Sequence, residues 1–327
     1  MTRRPVGEFD LIREIRQSLN EQPSHIIRGI GDDAAVYRAN PGRDQIVTTD
    51  IMVEHVHFDM AYTPPDSLGW KALAINLSDI AAMGGEPRCA VVNLGLTGSL
   101  DEETILAIYE GLNRCGQVFN CPVIGGDTVK SPQYNFIGVT LIGEVQEGRA
   151  ILRSGARIGD AICVTGDFGN ARTGFEVLSE KTDPYAYPRS TLKFLEPTPQ
   201  IRIAEKMIQS GDIHAMIDVS DGLASEMHHI CRESRVGCRM DAETIPVSSE
   251  CVRWCALKNQ PLLPFALSSG EEYELLFTCS PGTLDSLKSM DCPVTRIGRI
   301  VPEEEGISLR ESGSERPLEN SGWDHFG

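Results

Sequence analysis

The residues best equipped for chemistry are aspartates placed where apolar runs give way to turns. Asp32 and Asp33 lie in GIGDDAAV, Asp50 follows IVTT, and Asp127 follows VIGG. Asp218 and Asp221 lie in MIDVSDGL, and Asp79 falls in NLSDIAAMGG. A carboxylate at a strand end is rigidly mounted and points into the crevice between loops. Several carboxylates in one crevice repel one another unless a cation sits between them. Asp with Thr or Ser oxygens suits a hard ion, and Mg2+ bridging to phosphates is the usual case. Such ions neutralise phosphoryl oxygens during phosphoryl transfer. Taken singly, an Asp beside Gly is more often a turn residue or a helix cap, and Asp32 fits that description. Spacing alone leaves both readings open, and it names no substrate.

Other residues carry weaker signals. There is no GxxxxGK[ST], no protein-kinase motif set and no GxSxG; Gly125–Ser131 (GGDTVKS) lacks the glycine directly before its lysine. Gly166–Gly169 precedes a helical run, where it either cradles phosphate with backbone N–H groups or makes a simple tight turn, the commoner case. His55 and His57 alternate in HVHF and would share one face of a strand. His228 and His229 are helix neighbours that face different directions, which argues against joint metal ligation. Trp323 in GWDHF is either a stacking platform or a buried anchor for the tail.

The elements that must position these residues read as an α/β (α+β) pattern. Gln45–Thr49 predicts a strand ending at Asp50, and Ser67–Met83 a helix started by Asp66 or Ser67 and stopped at Gly84-Gly85. Arg88–Leu96 predicts a strand, Asp101–Gln117 a helix with acidic residues in its first turn, and Pro122–Ile124 a strand leading into Gly125-Gly126-Asp127. Asn135–Glu144 is a further strand. The pattern restarts near residue 148, with a strand at Asp160–Thr165 and a helix from Ala171. Residues 181–200 carry four prolines and predict a surface loop flanking at most a short segment. A helix at Pro199–Ser210, a strand at Ala215–Asp218, a helix at Gly222–Ser234, and strands at Leu275–Cys279 and Val294–Ile300 follow. Glu303–Asn320 is polar, acidic and expected to be exposed. The simplest division is two αβ domains, 1–148 and 149–327.

Bulk composition narrows the class. A chain of 327 residues with 41% hydrophobic and 24% charged residues is expected to fold as a packed protein of two domains. A formal net charge of −17 argues against nucleic acid or an anionic membrane as partner, since both require a basic surface. Two arginines open the chain but no apolar stretch follows them, so no signal peptide is expected, and no run reaches the roughly 18–20 apolar residues of a membrane span. The ten cysteines are scattered without a CxxC pair, which predicts reduced, mostly buried thiols in a cytoplasmic enzyme.

Read in order, GIGDDAAV, TTDIMVEHVHF, KALAINLSDIAAMGG, VIGGDT, LRSGARIGD, DVSDGL, SGEEYELLF and GWDHF resemble the bacterial thiamine-monophosphate kinases, from about Gly7 to Phe326. GGDT and DVSDGL are shared more widely, with aminoimidazole-ribonucleotide synthetase, selenophosphate synthetase and a hydrogenase-maturation protein. TTDxxxExxHF, NLSDIAAMG and the terminal WDHF point to the thiamine enzymes. The resemblance implies an ATP-binding N-terminal αβ domain whose sheet pairs with a second copy in a homodimer. It also implies a C-terminal αβ domain that covers the active site. The implied ligands of several Mg2+ ions are Asp33, Thr48, Thr49, Asp50, Asp79 (shared among the ions), Asp127, Asp218 and Asp221. The implied ATP contacts are Tyr109, Gly126, Asp127, Arg153 and Ser220, with Arg153 a phosphate-binding arginine. His57, Glu271 and Trp323 match positions that hold thiamine monophosphate. Asp79, Asp127, Asp218 and Arg153 would carry the catalysis. The family more often shows Ser than Thr at position 48, and some members carry Tyr at 323.

The chemistry fits such a substrate. Thiamine is a cation with a flat aminopyrimidine, and Trp is the best aromatic partner for a cation. The acceptor is a phosphate oxygen already ionised at neutral pH, so no strong general base is needed, and direct in-line transfer without a phosphoenzyme is expected. Two rivals stand beside this reading. A selenophosphate synthetase would need a reactive Cys near the N-terminus, where the first here is Cys89, and the hydrogenase-maturation protein would need a C-terminal Cys, where this chain ends in HFG. A catalytically dead nucleotide-binding regulator would be expected to have lost metal ligands, and the matched ligands are all present.

Overall fold

The computed structural model describes residues 14–15, 17, 23–28, 35–98, 100–210, 213–290 and 292–323. The fold is mixed α/β and divides into two compact units. One takes in residues up to 80 together with 86–148, the other 81–85 together with 149–327. Ala81–Gly85 thus groups with the second unit, whereas the sequence reading placed it in the first.

The first unit opens with a two-stranded ribbon, β1 (Ile26–Arg28) and β2 (Val36–Tyr37), and continues with β3 (Arg43–Val53). Then come α1 (Pro65–Ala82), β4 (Glu86–Leu96), α2 (Glu102–Phe119), β5 (Val123–Lys130) and β6 (Phe136–Gln146). The last four strands pair in the order β3-β6-β4-β5, with only β4 and β5 parallel. Met52, Val92, Leu94, Val139 and Leu141 bury one face of this sheet. The other face leaves Val47, Ile51 and Val129 exposed, because side chains alternate along a strand. Helix α1 is apolar nearly all round (Leu68, Leu73, Leu77 and Ile80 are buried), as expected of a core helix. It touches α2 through two glycines: a Cβ on Gly69 would lie 1.9 Å from Ile108 O, and one on Gly111 1.8 Å from Asp66 O. Helix α2 is capped by Asp101, whose carboxylate accepts from Thr104 N–H, a contact worth about 1 kcal/mol.

The second unit is built on a seven-stranded sheet. Its elements are β7 (Ala161–Thr165), α3 (Asn170–Ser179), α4 (Pro188–Leu195), α5 (Ile201–Ser210), β8 (Ile213–Asp218), α6 (Leu223–Ser234) and β9 (Gly237–Asp241). They continue with α7 (Ser249–Lys258), α8 (Leu262–Leu267), β10 (Leu275–Cys279), α9 (Pro281–Ser289), β11 (Val294–Val301), β12 (Ile307–Glu311) and β13 (Ser314–Pro317). The strand order is β13-β12-β9-β11-β7-β10-β8. β7 and β10 are buried along their whole length, so they read as unbroken apolar runs rather than alternating ones. A second cluster forms around Trp254, whose indole N–H donates to Glu176 at 2.7 Å while Cys251, Cys255, Tyr187 and Phe265 surround it.

Several expectations are corrected. β3 does not end at Asp50 and β5 does not end at Asp127; each ladder runs on for three more residues, because the partner strand keeps offering backbone groups. Residues 181–200 are not a loop: Pro188 opens α4, where its missing N–H costs nothing, and Ser190, Thr191 and Phe194 are buried. The polar stretch after Glu303 supplies β12 and β13, and Ser308 and Leu309 are buried beneath their charged neighbours. All ten cysteines are free and buried, as the composition predicts. Among the described residues, no helix is long and apolar enough to cross a membrane.

Candidate active site

In the first unit, β3 and α1 bring three of the predicted residues together. Thr48 and Asp50 share the helix-covered face of β3, and the Thr48 hydroxyl donates to Asp79 Oδ2 on α1. Burial, and then the neighbouring Asp79 charge, push the Asp50 carboxyl up to about 6. Two carboxylates held this close favour an intervening cation, and the donor set of carboxylates and a hydroxyl is the hard-oxygen kind that Mg2+ takes. Among the described residues no three His, Cys, Asp or Glu side chains form a ready-made metal cage. Thr49 lies on the opposite face, where its hydroxyl donates to Val139 O at 3.1 Å.

Asp127 is not brought to Asp50. β3 and β5 are the two edges of the sheet, three inter-strand spacings or roughly 14 Å apart. The register puts Asp127 in the row of Asn93 and Ile51, whereas Asp50 lines up with Val92 and Gly126. Beside Asp127, Gly126 has φ 156°, and a Cβ there would sit 1.9 Å from Val92 O, so only glycine fits. Tyr109, on α2, is buried and its hydroxyl hydrogen-bonds Thr128; burial pushes its phenol up to about 12. Asp33 lies outside the described residues. His57 is not on a strand. β3 stops at Val53, a turn follows, and the His57 ring accepts the Val53 N–H at 3.1 Å, while His55 sits in the left-handed region at φ 65°.

In the second unit, the loop after β8 gathers the remaining residues. Asp218 is the last residue of β8 and is buried. The Ser220 carbonyl accepts the Glu271 N–H at 2.6 Å, and the Asp221 carbonyl accepts the Trp323 N–H at 3.0 Å. Two of the three residues expected to hold the acceptor are therefore tied through the backbone to the turn expected to hold metal and nucleotide. Glu271 and Tyr273 both have positive φ (59° and 50°), a strained conformation for residues with side chains. Val219 and Glu274 hold it in place, through Tyr273 N–H to Val219 O and Val219 N–H to Glu274 O. Trp323 is not a buried anchor: the residue is 57% exposed, and the tail is anchored instead by Leu318, which is 4% exposed. Arg153 is exposed, and the Ser234 hydroxyl fixes its loop by donating to Arg153 O and accepting from Gly155 and Ala156 N–H.

Two carboxylates at this end of the sheet were not singled out from the sequence. Glu226, on α6, accepts the Asp221 N–H at 3.1 Å. Burial pushes its carboxyl up to about 7, against that hydrogen bond, which favours the charged form. The signal available was SDGLASE, an acidic residue one turn into a helix whose preceding amides need an acceptor. Glu272 accepts from Gly169 and Ala171 N–H at 2.7 and 3.2 Å. The Gly166–Gly169 turn therefore leads into a helix start already served by a protein carboxylate, which favours the tight-turn reading over a phosphate cradle.

Residues 31–145 match the family described as AIR synthase related protein, N-terminal domain, and residues 157–309 its C-terminal domain. A thiamine-monophosphate kinase of Bacillus subtilis (strain 168) is 36% identical over 98% of this chain and all of its own length. The chain belongs to the thiamine-monophosphate kinase family. Membership accounts for the two-unit α/β architecture. The crystal structure of thiamine-monophosphate kinase from Stenotrophomonas maltophilia K279a has a TM-score of 0.82 at 33% identity, over 94% of this chain and 98% of that one. AaThiL complexed with AMPPCP and TMP has a TM-score of 0.80 at 32% identity, over 100% and 99%.

Proposed function

We propose that this chain transfers the γ-phosphoryl group of ATP to thiamine monophosphate, giving thiamine diphosphate, by a direct in-line displacement. The observation that carries the reading is the pair of backbone ties from Glu271 to Ser220 and from Trp323 to Asp221, which couple an exposed indole and a strained glutamate to an aspartate-rich turn. The indole offers a face to a thiazolium cation, and Glu271 complements its charge or accepts from the aminopyrimidine. The proposed nucleotide contacts of the first unit are Gly126, packed tightly against Val92 of β4, and Tyr109, whose hydroxyl bonds Thr128; those of the second are Ser220 and Arg153.

In the first unit Thr48, Asp50 and Asp79 would hold Mg2+, and in the second Asp218 and Asp221 are the proposed ligands; the ion supplies charge neutralisation on the phosphoryl oxygens when bound. Arg153 steadies the charge that develops on the transferred group, and no residue is needed to deprotonate an acceptor that is already anionic. The family relationship and the AMPPCP and TMP complex of AaThiL support this substrate pair. A homodimer paired through the first unit's sheet fits the apolar side chains left exposed there, Val47, Ile51 and Val129. The cytoplasm, where ATP is made and used, is the proposed location.

The test is turnover of the purified chain with ATP, Mg2+ and thiamine monophosphate, using ATP made chiral at the γ-phosphorus. Thiamine diphosphate with inverted phosphorus supports the proposal. Retention implies a phosphoenzyme, and no product, or full activity in excess chelator, defeats it. Light scattering should give about twice the 35.8 kDa of one chain.

A further inference from the structure

Glu226 is 2% exposed and has no part in the chemistry proposed above. It lies one turn into α6, and its Oε1 accepts the Asp221 N–H at 3.1 Å with the Ser220 hydroxyl 3.5 Å away. The same two residues are held from other directions by backbone bonds, Glu271 N–H to Ser220 O and Trp323 N–H to Asp221 O. Gly222, which follows, has φ 129°, and a Cβ there would come within 3.0 Å of Leu267 O. The turn 220–222 is thus pinned on both carbonyls and at its glycine, and Glu226 is the side chain that pins its amide.

A carboxylate is a costly choice for that task. Burying it is unfavourable, and it places a second negative charge beside Asp221. A neutral Ser, Asn or Gln would serve a helix start as well. What a carboxylate adds is a firm hydrogen bond to a peptide N–H, stronger than one from a neutral acceptor. The peptide it grips lies between Ser220 and Asp221, so its plane sets where the hydroxyl and the carboxylate on either side point.

We propose that Glu226 is a positioning residue that fixes the Ser220–Asp221 peptide, so that the hydroxyl and the carboxylate are presented together to the magnesium nucleotide. The inference rests on the functional reading above for the roles of Ser220 and Asp221. Glu226 itself touches neither nucleotide nor acceptor. If it only caps α6, its loss lowers stability and nothing else.

The experiment compares Glu226→Ala and Glu226→Gln with the parent chain by melting temperature, by calorimetric binding of AMPPCP at fixed Mg2+, and by the Mg2+ concentration giving half-maximal turnover. Loss of the acceptor should weaken AMPPCP and raise the Mg2+ requirement in the Ala variant by about 10-fold each, the scale of one orphaned buried amide. The Gln variant keeps an oxygen for the amide but loses the charge, and should fall between the parent and the Ala variant on both. An Ala variant with a lowered melting temperature but parental AMPPCP affinity and Mg2+ requirement overturns the proposal. So does a Gln variant as impaired as the Ala one. If the Ala variant does not fold, Glu226→Asp, which withdraws the carboxylate by one methylene, takes its place with the same expectation. AMPPCP binding needs no acceptor, so this result stands apart from the acceptor assignment. A chain that binds AMPPCP and leaves thiamine monophosphate unphosphorylated defeats the proposed acceptor, while the binding arm still decides the role of Glu226.

Discussion

Replacing Asp50 by Asn should make the metal-free protein more stable while weakening its response to Mg2+. The ordinary carboxyl value of 3.8 is raised to about 6, first by burial on the helix-covered face of β3 and then by the charge of Asp79. A group whose folded value is raised binds its proton more tightly when folded. Its cost is therefore absent below about pH 4, grows as pH rises through the folded value, and is complete above about pH 7. A shift of about two units corresponds to about 3 kcal/mol, which Asn, neutral at every pH, does not incur. At about 2–4 °C per kcal/mol, the Asn variant should melt roughly 6 °C or more above the parent at about pH 8 in chelator. The difference should vanish toward about pH 4. Adding Mg2+ should raise the parent's melting temperature clearly more than the variant's, and the variant should be inactive. Scanning fluorimetry at two pH values, with and without the ion, measures all of this. A metal-free Asn variant no more stable than the parent, or one that keeps the parent's gain from Mg2+, would refute the reasoning.

Gly126→Ala should lower kcat/KM for ATP by at least about 100-fold, the scale of a roughly 1 Å displacement at a reacting site, because its Cβ would collide with Val92 O. Wild-type ATP kinetics in that variant would show that the tight β4–β5 contact at Gly126 does not position the ATP site. Trp323→Ala should raise the KM for thiamine monophosphate by about 5–30-fold, matching ~1–2 kcal/mol of cation–π and stacking contact, and hardly alter ATP affinity. Its melting temperature should move by no more than about 1–2 °C, since the residue is more than half exposed; a lowered melting temperature with unchanged KM would return Trp323 to a purely structural role. Glu272→Gln should gain stability relative to the parent as pH rises from about 5 to about 8, because burial pushes the Glu272 carboxyl up to about 7 and its ionisation destabilises the fold across that window. Parallel melting curves of the two proteins over the whole range would contradict that account.

The sequence by itself determined the elements whose patterns are local. Helix α1 was readable from its apolar run and its glycine stop, and α2 from its acidic first turn. β7, β8 and β10 could be read from short apolar stretches bounded by turns. The ordered motifs carried the family, and the scattered cysteines forecast buried free thiols. What depended on partners was not readable. Whether a strand stops at Asp50 or runs to Val53 is set by how far β6 extends beside it, not by the residues of β3. β12 and β13 look like a charged tail until β9 supplies an edge for β12 to join. Pro188 punctuates a loop or starts a helix according to whether Phe194 finds a core to enter. The site shows the same division. Residue type and order named Asp50, Asp79, Asp218 and Asp221, because carboxylates in such motifs are visible as letters. Only the tertiary structure separated Asp127 from Asp50 on opposite sheet edges, left the Trp323 indole exposed, and set Glu226 under the Asp221 amide. Each of those depends on distances between residues far apart in the chain or on the turn of a backbone, and neither is written in local periodicity.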